Sequence, residues 1–408
     1  MKSPLGPTST LGYCTNVHPG ANLAQLKANL DRFAVPIKQS VSPDAPMGVG
    51  LWFPAAAAQE VLAAPNGPAD LKAWLAHRGL LVYTLNGFPH GNFHQPVVKD
   101  AVYLPHWAQR DRLNHTRDLI TLLAALLPDG AEGSISTLPL AWPAHVGGSL
   151  TADPDFAPAA AANLTQLVHE LARIELTTGH HIHLDLEPEP GCLIHNSTTL
   201  VDFFEDHLLG TADQVSVLGY LRVCHDVCHA AVMFEDQQTA LNNYRSAGIK
   251  VGKVQLSSAL HIPFGTMNHD ERTAARNQLA LFAEPRYLHQ TSIRKSDGTL
   301  ETFNDLPAAL DAHPQPDHEW RVHFHVPVHQ KNMGAQGVLS TTQSDIPQLL
   351  KALAPEDETH HFEVETYAWN VLPHDSSNDD HNTAENDNTL IQGIANELTW
   401  VRDEAMSS

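Results

Sequence analysis

Residues 181 to 191 read HIHLDLEPEPG. The odd positions are His181, His183, Asp185, Glu187 and Glu189, and between them lie Ile182, Leu184, Leu186 and Pro188. Successive side chains of a strand point to opposite faces, so a strand here has one wholly ionisable face and one apolar face. The same alternation recurs elsewhere. Lys253, Gln255 and Ser257 share a face in KVQLSSAL, His323 and His325 in RVHFHVPV, and Glu363 and Glu365 in HFEVETY. In an antiparallel sandwich such faces would be wet outer surfaces. In a parallel barrel they point to the axis, and the residues near the carboxyl ends of the strands converge at one mouth.

The surrounding pattern favours the barrel. Nine strand candidates stand at 11–18, 47–53, 80–88, 133–142, 181–189, 217–226, 253–260, 321–329 and 361–369. Amphipathic stretches such as RDRLNHTRDLITLLAALL, AAAANLTQLVHELARIEL and FEDQQTALNNYRSAG separate most of them, an order that predicts α/β layering with parallel strands. Eight strand–helix units close a (β/α)8 TIM barrel, so one candidate is surplus or lies in an insertion. The reading is one barrel domain over 1–372, with a β-hairpin insertion at about 287–313 around the turn Ser296-Asp297-Gly298. The acidic stretch 373–389 reads as a flexible linker, and 390–408 as a C-terminal helix. The first ten residues are poor structure formers.

The chain has 408 residues, 42% of them hydrophobic, which supplies a substantial core. Its 24 basic and 46 acidic residues give a formal net charge of -22, which repels nucleic acid and anionic lipid. Four cysteines, Cys14, Cys192, Cys224 and Cys228, suit a reducing, cytoplasmic compartment. No apolar run approaches the roughly 20 residues that span a bilayer, so no membrane insertion is expected.

Carboxylates converging at a barrel mouth repel one another unless protons or a cation compensate. A divalent ion (Mn, Mg or Zn) is the economical solution. In VCHDVCHA, Asp226 and His229 have the D-x-x-H spacing that lets a strand-end carboxylate and a first-turn imidazole reach the same or adjacent metals. A structural zinc knuckle built on Cys224 and Cys228 fits less well, because C-x3-C is not the usual knuckle spacing and no second pair follows.

LEPEP resembles the EPKP segment of xylose isomerases, with Glu187 at the metal-binding glutamate and Glu189 where those enzymes carry a lysine. HDVCHA resembles a segment of endonuclease IV in which Asp226 and His229 fall on ligand positions. VQLSS is similar to the HLND strand, with Gln255 replacing a histidine ligand, and Glu365 in VET falls on the last-strand glutamate ligand. Over nearly the whole chain, phrases such as YCTNVHPG, TLNGFPHGNFH, GSISTLPL, LEPEPG, VQLSSAL and FEVETYAW resemble the EboE-type metabolite traffic proteins of the xylose-isomerase-like TIM-barrel superfamily. That resemblance implies a metal set of Glu187, Asp226, Gln255 and Glu365 with His229, and a small-molecule metabolite as substrate. It also implies a place in natural-product precursor biosynthesis or export beside proteins of the same gene cluster. Glu189 in place of lysine removes the cation that polarises a sugar carbonyl. Gln255 in place of histidine supplies a neutral oxygen.

The expected activity is isomerisation or epimerisation of a hydroxy-carbonyl compound, with Glu187 and Glu365 exchanging the proton. A metal-dependent hydrolase, a non-catalytic binding or scaffold protein, and an abasic-site endonuclease are the alternatives. Substrate contacts are expected from His18, Asn86, His90, His94, Lys99, Glu189 and His325, although loop histidines equally suit turn chemistry. His323 is expected one layer deeper than His325 and His329 outside. His289 and Gln290 are candidates for a lid, and Tyr367 and Trp369 for either flanking the substrate or filling the barrel.

Overall fold

The computed structural model describes residues 9–210, 213–313, 315–373 and 383–406. Its strands in chain order are β1 (Thr10–Cys14), β2 (Met47–Trp52), β3 (Leu80–Asn86), β4 (Gly133–Thr137), β5 (Ile182–Leu186), β6 (Leu221–Asp226) and β7 (Val251–Leu256). There follow β8 (Leu260–Pro263), β9 (Thr291–Arg294), β10 (Leu300–Phe303), β11 (Glu319–Val322), β12 (Asn332–Met333), β13 (Leu339–Thr341) and β14 (His361–Val364). The first seven and β14 close a barrel, with β14 hydrogen-bonded in parallel between β7 and β1.

The alternation in the sequence becomes the barrel's two faces. Ile182, Leu184 and Leu186 pack outward into the apolar layer under the helices. His183 and Asp185 point inward, where a side chain at Gly252 on β7 would collide with both. Gly50 on β2 leaves the equivalent room for Glu363. The covering helices bury one stripe each. In Phe156–Thr178, Leu164, Leu167, Val168 and Leu171 recur at helical spacing and are buried. Gly179, with φ 74°, ends that helix in the left-handed conformation that glycine adopts without strain.

The surplus strand candidate is 321–329. Only its beginning is extended, as the end of β11, which pairs antiparallel with β8 and β9. Beyond Val322 the backbone is held by single bonds, His323 N–H to the Gln290 carbonyl and Val326 N–H to the Ser258 carbonyl. Pro327 has no N–H to extend a ladder. The placement of His323 one barrel layer below His325 is therefore corrected: both stand on a segment that crosses the barrel mouth.

The hairpin around Ser296-Asp297-Gly298 forms, as β9 and β10, but it is the edge of something larger. A six-stranded antiparallel sheet, ordered β10-β9-β11-β8-β13-β12, is inserted between β7 and β14. It has its own apolar core, including Ile262, Phe264, Ile293, Trp320, Val322 and Phe324, and that core meets Trp52, Phe93 and Tyr367 from the barrel. Two boundaries also differ from the sequence reading. Gln214–Tyr220 is helical, so β6 begins only at Leu221. The last helix starts at Thr383, where a linker was expected to run on to 389, because Asp387 pairs with Arg32 at 2.5 Å and an acidic side chain suits a helix amino end. The rest of that linker, 374–382, and the first eight residues lie outside the described residues. No helix among the described residues is long and apolar enough to cross a membrane.

Candidate functional site

At the carboxyl end of the barrel a pocket is lined by Glu187, Glu189, His229, His323, His325 and Glu365 at its polar end. Phe88, Phe93, Val98, Val102, Tyr103, Tyr287, Leu288 and Tyr367 form the remaining wall. Glu187, Asp226 and Glu365 each present an oxygen to a common point, all three within 4.8 Å of one another and all buried.

The local structure explains how each is aimed. Asp226 ends β6 and caps the helix Val227–Val232, accepting the His229 N–H at 2.9 Å through Oδ1. The Ser257 hydroxyl donates to the same oxygen at 2.6 Å. Its other oxygen, Oδ2, has no hydrogen-bond partner, and Glu187 Oε2 is bare in the same way. Glu365 Oε1 accepts from the side-chain amides of Asn16 at 2.7 Å and Asn86 at 3.0 Å. On β7, Gln255 stands in register beside Asp226, helped by a shift of β6 between Val223 and Cys224. Both of its side-chain amide atoms are buried without a partner. His325 Nδ1–H donates to the Glu365 carbonyl at 2.7 Å, which turns an unpartnered Nε2 toward Asp226 Oδ2, 3.9 Å away.

Buried polar groups are normally paired, and here the unpaired ones are mostly acceptors, two of them carboxylate oxygens. Burial first, and then Glu365 and Asp226, push the Glu187 carboxyl well above its ordinary range. Burial and Asp226 do the same to Glu365. Burial opposes ionisation of Asp226 too, but His229, His325 and the Ser257 hydroxyl overcome it and lower its pKa. The oxygen-rich donor set with one imidazole nitrogen fits a divalent metal ion.

Glu189 is buried at the pocket wall. Its Oε1 accepts from the Tyr103 hydroxyl at 2.7 Å and the Gln290 amide at 3.2 Å, and burial holds its carboxyl up to about 7. Asn86 and Lys99 also line the pocket. Lys99, however, donates to Asp305 at 2.6 Å and to the Tyr287 carbonyl at 2.7 Å, so its charge is already matched.

Other expected contacts are elsewhere. His18 stacks on Phe33 with centroids 4.4 Å apart and meets the Tyr13 hydroxyl at 3.1 Å, an apolar niche outside the pocket lining. His90 packs on His115, 5.0 Å between centroids, and lines a separate shallow groove. His94 bonds the Asn16 carbonyl at 2.7 Å, so it supports the loop that carries Asn16 rather than the pocket itself. Trp369 donates to Glu397 at 2.9 Å and is absent from the lining, while Tyr367 is part of it. His289 is tied to Glu284 and the His323 carbonyl. His181, expected inside the barrel, sits at its opposite rim, paired with Glu175 at 2.8 Å. Cys14, Cys192, Cys224 and Cys228 are free, buried thiols.

Asn16, Tyr103, Tyr287 and Phe93 were not singled out from sequence. Asn16 had a signal, since it sits just past β1 where inward strand-end residues are expected. The other three reach the pocket only through long loops.

No family model matches the chain, and no curated protein does. Solved structures resemble it over nearly its full length at low identity. One is the probable 3-DHS dehydratase AsbF of Bacillus anthracis, at 10% identity over 97% of this chain and 99% of that one, TM-score 0.46. A sugar phosphate isomerase/epimerase from Parabacteroides distasonis aligns at 9% identity over 98% and 96%, TM-score 0.46. A xylose isomerase-like TIM barrel protein from Mycobacterium smegmatis, in complex with magnesium, aligns at 11% identity over 98% and 100%, TM-score 0.46. Likeness at this level carries no argument about chemistry, which rests on the chain's own side chains.

Proposed function

We propose that the chain is a metal-dependent isomerase or epimerase acting on a small hydroxy-carbonyl metabolite. The observation that carries the reading is the set of bare, inward-facing atoms at the barrel mouth: Glu187 Oε2, Asp226 Oδ2, His325 Nε2 and the Gln255 amide. With Glu365 they would hold a divalent ion, which when bound would balance the carboxylates and polarise a substrate oxygen.

Glu187 and Glu365 both line the pocket. As a carboxylate, one removes the proton α to the carbonyl; protonated, the other returns a proton to the opposite face or the neighbouring carbon. The proton count is unchanged across the reaction. Asn16 and Asn86 keep one Glu365 oxygen in place, which aims the second at the mouth. Glu189, where the resembling isomerases keep a lysine, accepts rather than donates charge. Together with Tyr103 and Gln290 it would bind a substrate hydroxyl.

The aromatic and aliphatic wall suits a substrate with an apolar body. Among the described residues lining the pocket, Lys99 is the one side chain carrying a fixed positive charge, and Asp305 occupies it. That disfavours a phosphorylated sugar and the abasic-DNA reading alike. A role beside the other proteins of a natural-product gene cluster rests on the EboE-type resemblance, and a cytoplasmic location on the four free cysteines.

The test is isotope exchange. The metal-loaded protein, incubated in D2O with a panel of unphosphorylated hydroxy-ketones and hydroxy-aldehydes, is expected to place deuterium α to the carbonyl. Glu187→Gln should abolish that incorporation. Equal incorporation by the variant, or none by the wild type across the panel, would sink the enzyme reading in favour of a binding protein.

A further inference from the structure

Away from the carboxylates of the mouth, the chain buries a cation that no anion answers. Arg112, in the first turn of the helix Arg110–Leu126, is wholly buried. Its Nε donates to the Pro105 carbonyl at 2.8 Å and its Nη1 to the Gly87 carbonyl at 2.9 Å, while Nη2 is buried without a partner. Carbonyls take up hydrogens but supply no countercharge. Burial lowers the pKa of this guanidinium to about 9 and no carboxylate raises it, so it is still a cation at neutral pH. Buried charges are ordinarily paired.

The charge is felt in the groove lined by His90. One helical turn beyond Arg112, His115 is also buried, with neither ring nitrogen partnered. Its ring packs edge-on against His90, at 75° and 5.0 Å between centroids. Besides burial, Arg112 lowers the basicity of both rings, so its field reaches the groove through them. Asp111 acts on His90 in the opposite sense, but it is exposed, where solvent and salt screen it.

The groove itself offers the complementary surface. None of its lining residues is acidic, in a chain with 46 acidic residues, and none is a lysine or arginine. Its polar side chains are His90, Asn92 and Gln95. Asn92 Oδ1 accepts the His94 N–H at 2.9 Å, which leaves the amide hydrogens for a ligand. A Cβ at Gly91 would meet nothing within 4 Å, so the backbone there is open to approach. Beside these groups lie Phe93, Val98 and Val97, the last 60% exposed.

We infer that this groove binds an organic carboxylate, its charged end against His90 and Asn92 and its apolar body on Phe93, Val97 and Val98. Inorganic phosphate fits less well, because no fixed charge lines the groove and much of the lining is apolar. Phe93 and Val98 also line the mouth pocket, so the two sites share a wall. The inference does not rest on the isomerase reading, since Arg112, His115 and His90 take no part in it.

The probe is hexanoate, with hexanamide as its uncharged counterpart and acetate as the counterpart without an apolar body. Each is titrated into the full chain at neutral pH and followed by calorimetry and by the His90 ring resonances in NMR. Hexanoate is expected to shift His90 saturably, with a dissociation constant of about 1 mM or below, and to bind more tightly than acetate. It should bind roughly 10-fold more tightly than hexanamide, the effect of one charge acting through an intervening side chain. Arg112→Met should remove most of that preference. His90→Ala should weaken hexanoate by roughly 5-fold or more, the loss of one hydrogen bond to a charged group. Glu187→Gln, which alters the mouth, should change neither.

Equal binding of hexanoate and hexanamide, or of hexanoate and acetate, overturns the site. So does hexanoate binding that leaves His90 unmoved and survives His90→Ala, or that disappears in Glu187→Gln and so belongs to the mouth. Absence of saturation by about 10 mM overturns it as well. Should Arg112→Met fail to fold, the wild-type comparison with hexanamide and the half-exposed His90→Ala still decide.

Discussion

Adjacent layers of the same barrel handle buried charge in opposite ways. In the lower layer the two buried carboxylates each meet a basic side chain of the chain itself, although Asp185 Oδ2 still lacks a hydrogen-bond partner. Lys253 meets Glu363 at 2.6 Å, both side chains wholly buried, and His183 meets Asp185 at 2.6 Å. Burial alone would strip the Lys253 proton, yet Glu363 more than restores it and raises the pKa. One step up, Glu187, Asp226 and Glu365 face one another with no lysine or arginine among them. A third solution stands outside the barrel. Glu397, on the last helix, accepts from Thr366, Trp369 and the Val328 N–H but meets no cation among the described residues, and burial lifts its carboxyl to about 7. The chain thus answers a buried carboxylate with an internal cation or with a proton, and the upper layer uses neither completely. What it lacks is a charge supplied from outside.

The contrast yields graded expectations. Lys253→Met should have the largest effect, because breaking a buried pair leaves an uncompensated charge worth roughly 3–5 kcal/mol. Urea denaturation reads it, and a loss below about 1 kcal/mol would mean that the lower layer is not internally balanced.

Glu397 comes next. Its pKa is raised from the ordinary 4.5 to about 7, so between those values the folded chain keeps a proton that the unfolded chain has lost. Stability should therefore fall as pH rises from 4.5 to 7, by roughly 3 kcal/mol, and be flat with respect to this group on either side. Glu397→Gln should flatten that slope in a pH series of melts.

Divalent metal at about a hundred times its dissociation constant should stabilise the wild type by roughly 2.7 kcal/mol. Glu365→Gln should reverse the sign of the upper layer's contribution. The metal-free variant is expected to be more stable than metal-free wild type by about 1 kcal/mol, through relief of repulsion, and to lose much of the metal-induced gain. His90→Ala should sit at the bottom of the scale, within about 0.5 kcal/mol and without effect on metal content.

What the sequence disclosed follows from the range of the forces involved. Alternation is local, so the eight barrel strands and the inward direction of His183, Asp185, Lys253, Gln255 and Glu363 were legible from neighbouring residues. The segment 321–329 carries the same alternation, but alternation does not say which sheet a strand joins. Its first half went to the inserted sheet and its second to the mouth. Glu187, Asp226 and Glu365 were legible because they close or follow barrel strands. The pairing of His229 with His323, and the part played by Gln290 and Tyr103, depend on an insertion folding back over the mouth, which no local pattern reports. His18 and His90 looked like rim residues because a turn histidine and a pocket histidine have the same sequence surroundings.

The most direct test is elemental analysis of wild-type protein purified without added metal, beside the double variant Glu187→Gln/Glu365→Gln. At least one divalent transition metal or magnesium ion per chain is expected in the wild type, and the oxygen-rich site should be empty in the variant. A wild-type chain that holds no divalent ion, even after dialysis against Mn2+, Mg2+ and Zn2+ in turn, would contradict an upper layer balanced from outside.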